Sequence, residues 1–282
     1  MEALADVADK SELVDILNIE AIDLDMFRGR TPEGQSRRIY GGQVVAQSLA
    51  AAYRTVEGRV CHSLHCYFIR GGDPTIPILL KVERVRDGGS FTMRRVTALQ
   101  HGQQIFNLSA SFQTPETGLE HQIEMPSTPG PEGLLDEDEL RKAGGETEQR
   151  RTWPIEVRPV DPPPYGTAPV MDPEHAVWFR ARAPLGEDPM IHQCALAYAT
   201  DMTLLDTSLR PHGVPWSEGR LQVASLDHAL WFHHPTDFTR WHLYVQDSPS
   251  ASGGRGFNRG SIFDPDGKLV ASATQEALIR YR

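Results

Sequence analysis

The chain has 282 residues, with 28 Lys and Arg against 38 Asp and Glu, a formal charge of −10. Its 39% hydrophobic and 23% charged residues are globular composition rather than disorder, at a length that suits one large or two small domains. The acidic balance argues against a nucleic-acid partner, which needs a basic surface to neutralise phosphates, but leaves room for a local basic cluster around one small anion.

The first residues, MEALADVADKSELVDIL, are acidic and amphipathic and lack the basic head and apolar stretch of a signal peptide. Residues 42–52 are apolar nearly all round, which predicts a helix buried on most sides. Strand-like segments follow at 62–70, 76–84, 90–99 and 104–113, with a His101-Gly102 turn before the last. Residues 116–164 are rich in Pro, Gly and charge and read as a long connection with one short helix at 133–143. A second apolar helical run at 193–205 is followed by strand-like segments at 222–234, 241–246, 256–263 and 268–279. The turn Asp264-Pro265-Asp266-Gly267 precedes the last of these.

The same order of elements thus occurs twice, in units 1–115 and 165–282 around the connection 116–164. The simplest architecture is one helix wrapped by an antiparallel sheet, repeated. Each unit of about 110 residues leaves a sheet edge open, so edge-to-edge pairing is expected, with a ligand groove at the seam.

Cys61, Cys66 and Cys194 are scattered without a CxxC spacing, and no window of about 18 uninterrupted apolar residues occurs. A cytoplasmic protein with reduced thiols and no membrane span is expected. The sequence has no G-x-S-x-G elbow, H-E-x-x-H, Cys/His metal spacing or P-loop. No metal or cofactor is therefore expected, and direct attack by water is favoured over a covalent or metal-assisted route.

Asp201 is the one acid between His192 and Leu205. A carboxylate in apolar surroundings is desolvated and its pKa tends to rise, which suits a general base. A helix-surface acid that caps a local bend has the same pattern, and the residues alone leave both readings open. Ser225 and Asp227 are two apart on a presumed strand and so share a face, with His228 on the other. The same parity separates His62 from His65.

Several blocks together resemble the acyl-CoA thioesterase II family. They are MFRGR at 26–30, YGGQVVAQSLAAA at 40–52, HSLHCYFIRGGDP at 62–74, VERVRDGGSFTMRRV at 82–96 and ASFQ at 110–113. The second half adds LAYATD ending at Asp201, ASLDHALWFHHP at 224–235 and SASGGRGFNRGSIFDPDGKLVASATQEALIR at 250–280. The resemblance implies an α+β double hotdog, with two helix-wrapped antiparallel units joined into one continuous sheet. It also implies acyl-CoA as substrate, hydrolysis to fatty acid and coenzyme A, and a homo-oligomer. The family's catalytic trio falls on Asp201, Ser225 and Gln275, where Ser225 stands at a position that is Thr in some relatives. The hydroxyl and the amide are donors that keep the carboxylate charged beside a water.

The first half lacks the trio, since counting from the matched turns sets Ala110 opposite Gln275, so one active site per chain is expected. Arg94, Arg95, Arg255 and Arg259 lie near matching turns and are candidates for the phosphates of coenzyme A, or solvated strand-end arginines. Among the eleven histidines, His62 and His228 are singled out as substrate-binding candidates, with packing as the alternative. The N-terminus of the second apolar helix, near His192-Gln193, is a candidate for holding charge on the thioester oxygen. Two rivals remain, a hotdog enoyl-thioester hydratase or dehydratase and a non-catalytic acyl-CoA binding protein.

Overall fold

The computed structural model describes residues 11–32, 38–146, 153–215 and 219–282. In the first half, helix α1 (Glu12–Leu17) is capped by Ser11 and leads into strands β1 (Glu20–Asp23) and β2 (Met26–Gly29). Helix α2 (Gly41–Tyr53) follows, then β3 (Val60–Phe68), β4 (Ile78–Asp87), β5 (Phe91–Gln100) and β6 (Gln103–Gln113). The connection carries a 3-10 turn at Pro131–Gly133 and helix α3 (Glu137–Ala143), whose start is fixed by a capping box between Asp136 and Glu139.

The second half contains β7 (Ile155–Pro159), β8 (Glu174–Ala181), helix α4 (Pro189–Ala199) and 3-10 turns at Leu205–Ser208 and Arg210–His212. It ends in β9 (Leu221–Ser225), β10 (Asp227–Phe232), β11 (His242–Ser252), β12 (Arg255–Phe263) and β13 (Leu269–Tyr281). Strand β7 lies within the stretch that reads as connection in the sequence and forms the outer edge of the second half.

Among the described residues all strand pairs are antiparallel, in the order β1-β2-β4-β5-β6-β3-β10-β13-β12-β11-β8-β7, with β9 also on β13. The two halves meet where β3 pairs with β10, Leu64 opposite Leu230. The open edges expected of each half thus close on one another.

Both long helices lie in one hydrophobic cluster that runs through the two halves. Val45, Ala46, Leu49, Ala51 and Ala52 of α2, and Cys194, Ala195 and Ala197 of α4, have no exposed surface. This explains why both sequences are apolar all round. The helices pack on each other, and their small residues permit close approach. Tyr40 Oη at the start of α2 donates to Tyr198 O near the end of α4. At the opposite ends, Tyr53 Oη donates to Gln193 Oε1. The helices therefore run antiparallel, and the start of each faces the end of the other. Two helix-wrapped antiparallel units in one continuous sheet make a double hotdog.

Two slips in strand register correct the parity read from the sequence. The predicted strand 222–234 breaks at Leu226, whose N–H bonds to Glu276 O while its carbonyl accepts the Phe68 N–H. Ser225 pairs with Ala277, but Ala229 pairs with Thr274, so one residue is gained across the break. A one-residue slip turns every later side chain to the other face. Ser225 and His228 therefore share the inner face, and Asp227 points away. A matching irregularity between Cys61 and Ser63 puts His62 and His65 together on the outer face, where His62 meets Phe91 and His65 meets Trp231.

Candidate active site

Helix α4 starts on a capped turn, where Asp188 accepts the Met190 N–H at 2.9 Å and Pro189 takes the first helical position. It ends earlier than the apolar run to 205 predicts. Thr200 donates its hydroxyl back to Ala197 O at 3.2 Å, and Met202 N–H bonds Ala199 O, an i→i−3 closure that terminates the helix. Asp201 consequently sits in the turn just past α4 rather than within it, and its carboxylate is released from the helix surface.

That carboxylate meets three donors. Gln275 Nε2, from the middle of β13, lies 2.5 Å from Asp201 Oδ1. The Ser225 hydroxyl, at the end of β9, donates to the same oxygen at 3.3 Å. Gln275 Nε2 also reaches Ser225 Oγ at 3.2 Å, which closes a triangle of the three side chains. The third donor is the backbone N–H of Gly42, in the first turn of α2. A Cβ on Gly41 would lie 2.5 Å from Asp201 Oδ2 and 2.9 Å from the Phe68 ring. A Cβ on Gly42 would lie 2.2 Å from Tyr198 O. The Gly-Gly pair is thus required by close approach between the halves.

Burial pushes Asp201 up to about 6, against the lowering effect of its bonds to Gln275, Ser225 and Gly42. Tyr40, Cys66 and Tyr244, which feel its charge, are held well above their usual range by burial and stay neutral. Asp201 is thus a carboxylate that titrates near neutrality and is held by uncharged donors; burial also pushes Asp206, five residues on, up to about 7.

His228 is fully buried beside this triangle. Its Nδ1 lies 3.5 Å from Gln275 Nε2 and its Nε2 3.0 Å from Thr200 Oγ1. Both ring nitrogens are engaged within the protein, which corrects the expectation that His228 binds substrate.

The arginines are not gathered here. Arg94 is 1% exposed. Its guanidinium donates to Thr55 Oγ1 and Thr55 O, to Arg86 O and Met93 O, and to Asp87 Oδ1. These contacts engage its full donor set and leave none for a phosphate, a second correction. Arg94 pairs across the hairpin with Ala110, as Asn258 pairs with Gln275 in the second half. Thr55 follows the end of α2 as Asp201 follows the end of α4. The first half thus has an arginine plug where the second half has its carboxylate.

Arg255 and Arg259 alternate with the buried Asn258 on β12 and lie on the outer face, paired with Glu276 and Asp247. Arg95 is paired with Glu83, also on the surface. His62 accepts or donates to Ser111 Oγ at 2.8 Å. It lines a cavity of about 310 Å³ with Gln193, His233 and His234 at the far end of the helix pair. That end also holds the N-terminus of α4, where the His192 ring bonds Gly186 O and the Phe238 N–H. The helix N-terminus beside Asp201 is that of α2. Antiparallel packing is the reason, and it corrects the sequence-based choice of His192-Gln193. Sequence reasoning gave no role to Gly41, Gly42, Thr200 or Asn258; the doubled glycine opening a buried helix was the one visible signal.

The chain matches the acyl-CoA thioesterase model over residues 145–278 and the acyl-CoA thioesterase N-terminal domain over 30–113. It is 41% identical to human acyl-coenzyme A thioesterase 8 over 95% of this chain and 88% of that protein. It is 38% identical to acyl-CoA thioesterase 2 of Haemophilus influenzae, covering 96% and 98% of the two chains. Among solved structures, an acyl-CoA thioesterase II from Mycobacterium marinum superposes with a TM-score of 0.79 at 42% identity, covering 96% of this chain and 98% of that one. With a double-hotdog fold and relatives this similar along nearly its whole length, the chain belongs to the acyl-CoA thioesterase family.

Proposed function

We propose that this protein hydrolyses fatty acyl-CoA to free fatty acid and coenzyme A, with Asp201 as the general base. Ionised Asp201 takes a proton from water as the water oxygen bonds to the thioester carbonyl carbon. The tetrahedral adduct collapses, the carbon–sulfur bond breaks, and the proton passes from Asp201 to the departing thiolate. Ser225 and Gln275 hold the carboxylate and the water. The start of α2, against Asp201, is the nearest positive helix end for charge growing on the carbonyl oxygen. The observation that carries this reading is the convergence of Gln275, Ser225 and Gly42 on one buried carboxylate.

The test is thiol release from acyl-CoA by Asp201→Asn. General-base help is worth about 10²–10⁴-fold, so kcat should fall by that order with KM largely kept. Near-normal turnover would reject the role. A hydratase or dehydratase would use a His and an acid together. Asp227 and His228 face opposite sides of the sheet, and the Asp227 carboxylate accepts the Glu276 N–H, so that pair is not assembled. A binding protein without activity would release no thiol over hours.

We divide the chain into two hotdog units, 1–115 and 165–282, with β7 (Ile155–Pro159) of the connection adding the outer edge of the second. A cytoplasmic, homo-oligomeric protein fits three further features. Its three cysteines are free and buried, and no described helix is long and apolar enough to cross a membrane. The outer face of the sheet exposes Tyr67 at 61%, Phe91 at 44% and Met93 at 41%, a surface suited to a second copy. A monomeric mass by light scattering would overturn the oligomer.

A further inference from the structure

Gln275 has two chemically different ends, and only one of them can hold a carboxylate. With Nε2 toward Asp201 the amide donates; turned over, it would set Oε1 against a negative oxygen. Nothing in Gln275 itself decides between these, and its Oε1 is buried without a partner. The deciding contact comes from behind. Thr200 donates its hydroxyl proton to Ala197 O, so towards His228 Nε2, at 3.0 Å, it offers a lone pair. Nε2 therefore carries the ring proton and Nδ1 is a bare acceptor. The atom of Gln275 that lies 3.5 Å from this acceptor is Nε2, the N–H₂ end. One N–H then serves Asp201, and the other is shared between Ser225 Oγ and the ring.

We propose that His228 is a positioning residue that fixes the Gln275 amide with its N–H₂ toward Asp201, its own tautomer being set by Thr200. The proposal rests on the reading of Asp201 and Gln275 given above and adds what orients them. The ring is well placed for this. His228 has no exposed surface, and burial holds it neutral by lowering its ionisation to about 4. It is anchored at both ends of the site, because Thr200 is the residue before Asp201, and Cys66 Sγ on β3 donates to its carbonyl at 3.1 Å. The register slip at Leu226 is what brings the ring to the inner face beside Ser225.

The test compares thiol-release kinetics and thermal stability for His228→Phe, Thr200→Val, Gln275→Ala and the double variant His228→Phe/Gln275→Ala. Phe keeps the bulk of the ring without its nitrogens. Outer contacts that orient catalytic groups are typically worth about 10–100-fold, and His228→Phe should lose kcat on that scale with KM within about twofold. Its acid limb should move to higher pH, because an amide free to turn no longer lowers Asp201. Tyr40, Cys66 and Tyr244, which face Asp201 from the residue before α2, from β3 and from β11, are neutral through this range and do not mask the shift. Thr200→Val should give the same changes on a smaller scale. The double variant should be no slower than Gln275→Ala alone.

Wild-type kcat and acid limb in folded His228→Phe would overturn the proposal, as would a multiplicative loss in the double variant. If His228→Phe does not fold, Thr200→Val decides, and unchanged kcat there overturns it. Full activity in Gln275→Ala would remove the role of Gln275 and the positioning role with it. A crippled Gln275→Ala beside an unaffected His228→Phe removes only the latter.

Discussion

The carboxylate of Asp201 caps helix α2 of the other half of the chain by accepting the Gly42 backbone N–H. Tyr40, the residue that precedes this helix, makes no side-chain cap bond. The acid brought by α4 thus serves as the missing cap across the seam, and the positive end of α2 helps hold it ionised.

Gly41→Ala tests that contact. The added methyl would sit 2.5 Å from Asp201 Oδ2 and 2.9 Å from the Phe68 ring, so the carboxylate must move. Overpacking of this kind costs about 1–3 kcal/mol. We expect kcat to fall by more than about tenfold, as it does when catalytic geometry shifts by an ångström or so. Thiol-release kinetics with a denaturant melt checks both.

The pH profile of kcat/KM should show an acid limb near the value of Asp201. As a general base Asp201 would act in its ionised form, and burial pushes the group up to about 6. The rate should be level above this and fall about tenfold per unit below it. A limb near the ordinary aspartate value, with none near 6, would contradict the assignment.

The same shift predicts a pH-dependent stability difference between Asp201→Asn and the wild type. Asp201 rises from 3.8 to about 6 on folding. Protonation therefore favours the folded state, fully below the lower value, and this support is lost as pH rises through the upper one. Asparagine carries no charge at either extreme. The variant should gain on the wild type from about pH 4 to just above pH 6, by on the order of 3 kcal/mol, and hold that gain at higher pH. Paired denaturant melts across that range measure it; a gap that is flat or narrows would count against a desolvated carboxylate.

Arg94→Met should destabilise the protein while sparing chemistry. The substitution leaves Thr55 O, beneath the first-half sheet, without its donor, while the Thr55 hydroxyl keeps only its bond to Ala52 O. Each unsatisfied buried group costs about 1–3 kcal/mol. The midpoint in urea should drop, while KM for acyl-CoA at a permissive temperature stays near wild type. A large rise in KM with intact stability would restore Arg94 as a phosphate ligand.

Much of this protein was legible in its residues. Two helical runs without a polar face could only be buried, and the repeated order of helix and strands implied two units closing on one another. That Asp201, Ser225 and Gln275 belong together was visible through resemblance, and their side chains do meet; the lone acid was visible in its own right. Spacing along the chain carries such information because periodicity is local.

What the tertiary structure decided lay in contacts between distant residues. The slip at Leu226, which moved His228 beside Ser225, arises from bonds to Glu276 and Phe68 and leaves no trace in strand spacing. Antiparallel packing of α2 on α4 selected which helix start faces Asp201. Arg94 reads as a solvated strand-end charge until Thr55 and the hairpin beside it surround its guanidinium. In each case the outcome depends on which partner fills the space opposite a residue, and a linear pattern does not hold that until the chain has folded.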